Sequence, residues 1–572
     1  MNLFADVKAS KALWMIVLAS AVIVHLSYIN NGFTWLEHGD IEQERAILPL
    51  TDLNKAFEQP FGETGFYRPL VTILHSLDAA LYSDWAPGFH LTNVLLFVLT
   101  VMAVAVFASA FFGISQVDGL LAAFIFAIHP LTWLPVGSIS HRPELLVVAF
   151  SCLAVFFYIR MRETVEMKFF LGFIVSFALA LFSKETAVFW VPALLLAYEL
   201  FGFDSKDSNQ QSRNRATRRA RINAAFGVVL LLSGYTALRM AAVPEIWHAS
   251  ALRLTPGQAF FTRLHALGVR LQEIFLPLVP SLSDATVIQS SLSFSGTLVL
   301  GAGLAGVVLA VRANRNTILI RVLIFLAIAL APALNLIALP RFSSPHYSFF
   351  ATIAMGVIVA RIINVSAKLP MLWQNVLRSG VVVWCAISAV MTFMHGGRFS
   401  DDRALFAAEV AADPRFLEGQ AYLGDAYFQS GEMQRAATSY RAALYVSPNV
   451  IAYVDRSSVM INLAGVEMKQ GHTLDAENLL IAVSGNVSES EQRLVDYNLA
   501  LLANQRGDYA RVVDLLQKHD ADWQRAEPLM MLARALRYLE RMPEALQTLE
   551  RALPFLDAQQ QAKARALIQN SQ

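Results

Sequence analysis

Residues 33–50, FTWLEHGDIEQERAILPL, and 61–81, FGETGFYRPLVTILHSLDAAL, belong to the longest polar interruption between hydrophobic segments in the N-terminal two-thirds of the chain. What flanks that interruption decides the fold. Leu13–Tyr28 precedes it and an apolar run from Phe89 follows it, each close to the roughly twenty residues needed to cross about 30 Å of hydrocarbon. The stretch therefore reads as a loop, 31–88, between two membrane spans. There its carboxylates, aromatic rings and Arg68 can meet a lipid-borne substrate at the water interface.

Composition agrees. The 572 residues are 56% hydrophobic and 16% charged, with mean hydropathy +0.47, which excludes a single soluble core and fits a polytopic membrane protein. A net charge of +1 gives no pull toward nucleic acid. Cys152 and Cys385 both lie in apolar runs, so no disulfide framework is expected. The first apolar run follows Lys8 and Lys11 like a signal peptide, but the ten hydrophobic runs behind it favour an uncleaved span.

About eleven spans are expected, near 12–30, 89–112, 117–136, 143–160, 169–184, 186–203, 222–241, 293–312, 317–338, 346–364 and 372–394. Basic residues set the orientation: the linker 204–221 with Lys206 and five arginines, Arg160 with Arg162, Arg312 with Arg315, and Arg361 with Lys368. All fall on one side if the N-terminus is cytoplasmic, which puts the 31–88 loop and everything after Met394 outside. Gly257–Leu276 is long enough to span, yet it holds Arg263, Arg270, Gln272 and Glu273 after the helix-start pair Thr255-Pro256. Counting it would reverse the later basic loops, so it is expected to be an amphipathic or re-entrant helix. Within the first loop, Pro69 followed by Leu70, Leu74, Leu77 and Leu81 predicts an interfacial helix, and Thr51–Phe57 a shorter one capped by Thr51.

After Met394 the hydrophobic density falls and a repeat emerges. Leu423, Gly424, Tyr427, Gly431, Ala436, Tyr440, Ala443 and Pro448 stand at tetratricopeptide spacing. Weaker copies carry Leu463, Ala464, Gly471 and Ala476, then Leu499, Ala500, Gly507 and Leu516, then Leu532, Ala533, Ala545, Leu549 and Ala552. The expected organisation is all-α: a membrane domain over 1–395 and a repeat solenoid over 396–572. The solenoid would hold a peptide or protein segment in its groove, or serve as a structural cap.

Ionisable groups at the mouths of spans are expensive and are candidates for function. Those on the expected outer side are Glu37 and Asp40 after the first span, Tyr67 and Arg68 in GFYRPL, His129, the turn His141, Arg142 and Glu144, the pair Lys184 and Glu185, and Arg341, His346 and Tyr347. Each has a plainer role available: His129-Pro130 as a helix stop, Lys184 and Glu185 as a hairpin ion pair, Arg68 as a backbone cap.

The ordered set YRPL (67–70), GFHLTNVLL (88–96), HPLTWLPVGSISHRPELL (129–146), LFSKETAVFWVPALLLAYE (181–199), FLPLVPSLSD (275–284) and PRFSSPHYSFFATIAMGV (340–357), closed by the repeats, resembles the transmembrane and tetratricopeptide-repeat containing O-mannosyltransferases and their bacterial relatives. These are GT-C membrane glycosyltransferases, and the resemblance runs along essentially the whole chain. It implies a GT-C-like fold, a polyprenyl-phosphate sugar as donor, an active site outside the cytoplasm (periplasmic in a bacterium), and an acidic residue of the first loop as base. The family usually sets two acidic residues side by side after an aromatic. Here Trp35-Leu36-Glu37-His38-Gly39-Asp40 leaves both Glu37 and Asp40 as candidates.

The chemistry of such a transfer asks for the same groups. A sugar leaving a lipid phosphate throws negative charge onto the phosphate, which fixed cations stabilise. Arg142, Lys184, Arg341 and His346 are the available set, with His141, Glu144, Glu185 and Tyr347 beside them and Tyr67, Arg68 and His129 as loop- or acceptor-positioning groups. A carboxylate then takes the proton of the incoming hydroxyl, and attack opposite the leaving group inverts the anomeric centre. No zinc-type spacing occurs, although Glu37, His38 and Asp40 together are a possible divalent site. The expected partners are the bilayer, the lipid-linked sugar and a protein or peptide acceptor, and O-glycosylation is the expected process. A glycolipid or envelope-polysaccharide acceptor is the second enzymatic reading. A non-enzymatic scaffold or lipid-linked sugar transporter is the reading from another class, and the absence of an internal span repeat disfavours it.

Overall fold

A computed structural model of the chain describes residues 7–62, 64–164, 166–201, 210–243, 254–312, 318–336, 339–519 and 522–571. Among these residues the fold is all-α apart from one two-residue antiparallel pair, Thr286–Val287 against Val450–Ile451. Five helices are long and apolar enough to cross a membrane: Lys11–Tyr28, Ala86–Phe112, Ile139–Thr164, Arg218–Ala242 and Met371–Ser400. Gln116–Ile128 and Pro130–Gly137 make a sixth if their 62° bend lies within one span. The shorter apolar helices Met167–Ser183, Ala187–Leu200, Phe294–Gly306, Ile318–Leu334 and Thr352–Ser366 account for the remaining expected segments. The bend follows from the His129-Pro130 pair, since a residue before proline is pushed out of helical geometry, and His129 is extended (φ −68°, ψ 135°).

The amphipathic segment forms one helix, Pro256–Phe275, opened by a reciprocal Thr255–Gln258 capping box with proline at its first turn. Helix Pro69–Tyr82 begins at the expected proline, but its faces are reversed relative to a soluble helix. Thr72, His75, Ser76 and Asp78 are buried, while Leu77 and Leu81 are exposed. A leucine face turned outward and a polar face turned inward suit a helix lying between lipid and a hydrated interior.

Two expectations are corrected. Leu50–Phe57 is a 3-10 helix preceded by Pro49, with no side-chain cap, so Thr51 lies inside it rather than capping it. Most of the basic linker 204–221 is also helical from Gln210, continuous with the helix that ends at Ala242. Arginine is a good helix former, and Arg221 pairs with Glu199 at 2.6 Å. Residues 202–209 of that linker lie outside the described residues.

The chain divides into two compact units, Met1–Arg415 with Pro448–Tyr453, and Phe416–Ser447 with Val454–Gln572. The first therefore runs past 395 to include the helix Asp402–Ala412, and it takes back the 450–451 strand. The second unit stacks the helix pairs Leu417–Gln429 and Met433–Leu444, Arg456–Gln470 and Thr473–Val483, Glu489–Gln505 and Tyr509–Gln517, and Ala526–Tyr538 and Met542–Ala552. Gly431, Gly471 and Gly507 take left-handed φ (77°, 85° and 75°) at the turn inside each of the first three pairs, and Glu540 (φ 59°) does so in the fourth. At Gly424 a Cβ would lie 2.6 Å from the Tyr440 ring, so only glycine lets the two helices meet. Gly424→Ala is expected to cost about 1–3 kcal/mol. Faster amide exchange over residues 417–444 in the full chain, with the other pairs unchanged, is the measurement.

Candidate active site

The acidic loop is held by its backbone. Trp35 is buried with φ +58°, and its N–H donates to Asp402 Oδ1 at 2.7 Å. A π-helical turn, His38–Glu42, follows. Glu37, just before it, is fully buried; its Oε2 accepts from Thr34 N at 2.9 Å and its Oε1 from Ile139 N at 2.6 Å. Glu37 thus fastens the first loop to the 138–141 turn, with each of its oxygens already accepting a backbone N–H.

Burial pushes the Glu37 carboxyl from 4.5 up to about 8, against the hydrogen bonds that favour its charge. His38 moves from 6.5 to about 9, held charged chiefly by Asp402, to which its Nε2 donates at 2.8 Å, and further by Glu42 on its other ring nitrogen. Between pH 4.5 and 8 the folded state keeps a Glu37 proton that the unfolded chain releases. The His38 contribution is complete below pH 6.5 and is lost as pH rises through 9. Both groups make the loop less stable toward alkaline pH. Thermal unfolding in detergent is expected at a lower temperature at pH 9 than at pH 6.5, and an unchanged midpoint would remove these two groups from the loop's stability.

Asp40 differs from Glu37 in access. It is partly exposed, and Ser140 Oγ donates to its Oδ2 at 2.7 Å. Burial raises its carboxyl from 3.8 to about 6, while the Ser140 hydrogen bond and the charges of Arg68 and Arg45 pull the other way. Gly62, with φ +56°, brings the 60s turn over it, leaving Oδ1 3.8 Å from where a Cβ would sit.

Arg68 and Arg45 act electrostatically on this carboxylate, and further cations and rings gather among the neighbouring turns. Arg68 binds Glu185 through Nε (3.3 Å) and Nη2 (3.1 Å) and lies over the Phe66 ring at 4.2 Å; the Tyr67 N–H also donates to Glu185, at 3.3 Å. Lys184 pairs with the buried Glu144, and His346 Nε2 stands 3.7 Å from the same carboxylate. The His346 ring lies 5.1 Å from His141 and 4.3 Å from Tyr347, and Trp35 lies 5.2 Å from His141. Arg341 packs over Trp35 at 5.1 Å, and its carbonyl accepts from the Tyr347 hydroxyl at 3.0 Å. Charges on Arg68, Lys184 and Arg341 all reach His141 and His346. Four turns distant in sequence therefore converge on one polar cluster.

Three expected site residues are engaged elsewhere. Arg142 is fully buried, its Nη2 on Asp78 at 2.6 Å and its Nε on Asn93 at 2.8 Å, so it ties helices together instead of facing the cluster. His129 accepts from Leu131 N at 3.1 Å and bonds the Ile274 carbonyl at 2.9 Å, stitching the broken span. The Tyr67 hydroxyl donates to the Phe57 carbonyl at 3.0 Å. The possible divalent trio is divided as well: His38 turns to Glu42 and Asp402, Glu37 to two amides, and Asp40 to Ser140. Sequence reasoning passed over Asp402 and Ser140, the partners that fix the loop, and the buried polar face of Pro69–Tyr82. The Ser138–Arg142 turn held the only hint, a serine on either side of Ile139 next to a charged pair.

Residues 68–212 match the family model described as dolichyl-phosphate-mannose-protein mannosyltransferase, and residues 390–450 match the tetratricopeptide repeat. The chain thus joins a mannosyltransferase-type membrane domain to tetratricopeptide repeats, the pairing the sequence resemblance implies. Among curated proteins, Protein O-mannosyl-transferase F38B6.6 of Caenorhabditis elegans is 24% identical over 192 residues, covering 31% of this chain and 26% of that protein. The chain therefore spans about a quarter of the length of that relative. Two solved structures are similar at 12% identity. The Archaeoglobus fulgidus oligosaccharyltransferase has a TM-score of 0.40 over 69% of this chain and 57% of that one; yeast Tom70 has 0.20 over 82% and 95%.

Proposed function

We propose that the chain is an integral-membrane glycosyltransferase that moves one sugar from a polyprenyl phosphate to a protein hydroxyl outside the cytoplasm, with inversion and with Asp40 as base. One observation carries the reading: of the two candidate carboxylates, Asp40 is the partly exposed one, burial raises it to about 6, and the charges of Arg68 and Arg45 act on it. The acceptor oxygen gives its proton to Asp40 Oδ1 while it forms a bond to the anomeric carbon. The bond from that carbon to the phosphate oxygen breaks, and the lipid phosphate leaves with the electron pair. Lys184, Arg68 and Arg341 would stabilise that charge, the phosphate replacing Glu144 and Glu185 as the counter-ion of Lys184 and Arg68. The apolar helix faces take the polyprenyl chain, and the repeats recruit the acceptor or a protein partner.

The test is to incubate the full chain in detergent with a series of polyprenyl-phosphate sugars and follow release of the lipid phosphate. Cleavage of at least one donor is expected; cleavage of none, with the protein folded, overturns the reading. Because the base must be ionised, the transfer rate should climb about tenfold per pH unit below 6 and level off above it. A profile flat from pH 5 to 7 removes Asp40 from the role.

A further inference from the structure

The Arg341 guanidinium reaches two rings, and the second comes from a distant stretch of chain. Besides Trp35 at 5.1 Å it lies over Tyr453 at 5.5 Å, both inside the roughly 6 Å at which a ring face attracts a cation. Each ring is fixed through its backbone. The Trp35 N–H is bonded to Asp402, at the start of helix Asp402–Ala412, and its ring meets Phe406 of that helix edge-on at 6.0 Å. The Tyr453 N–H donates to the buried Asp284 Oδ2 at 2.8 Å, just beyond the pairing of Val450–Ile451 with Thr286–Val287. Ile288 N adds a bond to the Asn449 carbonyl at 2.9 Å. Both anchors belong to the first compact unit, one before and one after the repeat pair over 417–444.

The chemistry of a ring partner bears on what this arrangement does. A ring face attracts a guanidinium through its quadrupole and adds no negative charge, so the cation stays attractive to an anion. A carboxylate partner, such as Glu144 for Lys184 or Glu185 for Arg68, has to be displaced by an incoming phosphate, and a ring does not. Arg341 also acts on the cluster from this place. Its charge reaches His141 and His346, and its carbonyl accepts from the Tyr347 hydroxyl at 3.0 Å. Arg341 and Tyr453 are both partly exposed, unlike the fully buried Arg142.

We propose that Tyr453 is a positioning residue for the lipid phosphate: together with Trp35 it holds the Arg341 guanidinium where the phosphate binds. The inference rests on the glycosyltransferase reading, which supplies the phosphate. The test is binding of undecaprenyl phosphate to the full chain in detergent, by microscale thermophoresis, with undecaprenol as the uncharged control. Wild type should hold the phosphate more tightly than the alcohol. Tyr453→Phe keeps the ring and should match wild type. Tyr453→Leu should raise Kd for the phosphate about threefold to thirtyfold and leave Kd for undecaprenol unchanged. Tyr453→Met, apolar and flexible, gives the same comparison if the leucine variant does not fold. Four results each overturn the proposal: equal wild-type affinity for the two lipids, wild-type phosphate affinity in the leucine or methionine variant, a loss shared equally by both lipids, or a phenylalanine variant as weak as the leucine one. The third makes the ring a packing group, and the fourth assigns the effect to the hydroxyl. Donor cleavage by wild type, measured separately, reports on the glycosyltransferase reading, so either can fail while the other stands.

Discussion

Asp40→Asn is expected to lower sugar transfer by roughly two to four orders of magnitude, the usual weight of a positioned general base. The substitution keeps an oxygen to accept from Ser140 Oγ, so the loop has no structural reason to collapse. Glu37 supplies the contrast. Its two oxygens each accept a backbone amide, from Thr34 and from Ile139, and a glutamine there offers only one acceptor. Glu37→Gln leaves a buried N–H facing an N–H, so its loss is one of folded protein rather than of proton transfer. Turnover per folded molecule separates the two: near zero for Asp40→Asn, close to wild type for whatever Glu37→Gln folds. Equal turnover in Asp40→Asn and wild type would falsify the assignment of the base.

The second large effect is on stability. Arg142→Leu removes the partner of Asp78 in a buried pair and leaves a carboxylate supported, among the described residues, by Thr92 Oγ1 alone at 2.9 Å. Stranding a buried charge in this way costs about 3–5 kcal/mol, enough to deplete the folded protein. Asp78→Leu combined with Arg142→Leu should recover part of the loss, because the double change removes both charges from the interior. Fluorescence-detected size exclusion and thermal unfolding of the full chain read both variants. A double variant no better than Arg142→Leu alone would mean that the guanidinium acts through Asn93 and not through the ion pair.

What could be read from the sequence was local. Pro69 with leucines at helical spacing marked the interfacial helix, Thr255-Pro256 marked the start of another, and the small residues of 423–448 marked the first repeat, because each signal and its cause lie within a few turns. What escaped depended on distant pairing. The Trp35 N–H and the His38 ring find Asp402 more than three hundred residues away, Asp78 finds Arg142, and the strand at 450–451 finds 286–287. The same limit explains the choice between Glu37 and Asp40. Both are acids in one loop, and only the contact with the Ile139 amide turns one of them into a fastener. Arg142 was attractive as a phosphate ligand because arginine suits phosphate, but Asp78, unremarked on the polar face of its helix, engages it first.

Trp35 has a consequence for how this chain can vary. Its backbone sits where glycine is at ease and a bulky side chain is strained by about 1–3 kcal/mol. Its surroundings ask for the reverse, since a broad ring must lie beneath Arg341 and beside His141 while the peptide N–H reaches Asp402. No single substitution meets both demands. A change that eases the backbone empties the space, and one that fills the space keeps the strain. Positions 35, 141, 341 and 402, far apart in the sequence, are therefore expected to tolerate change only together, which an alignment of relatives would show as paired variation.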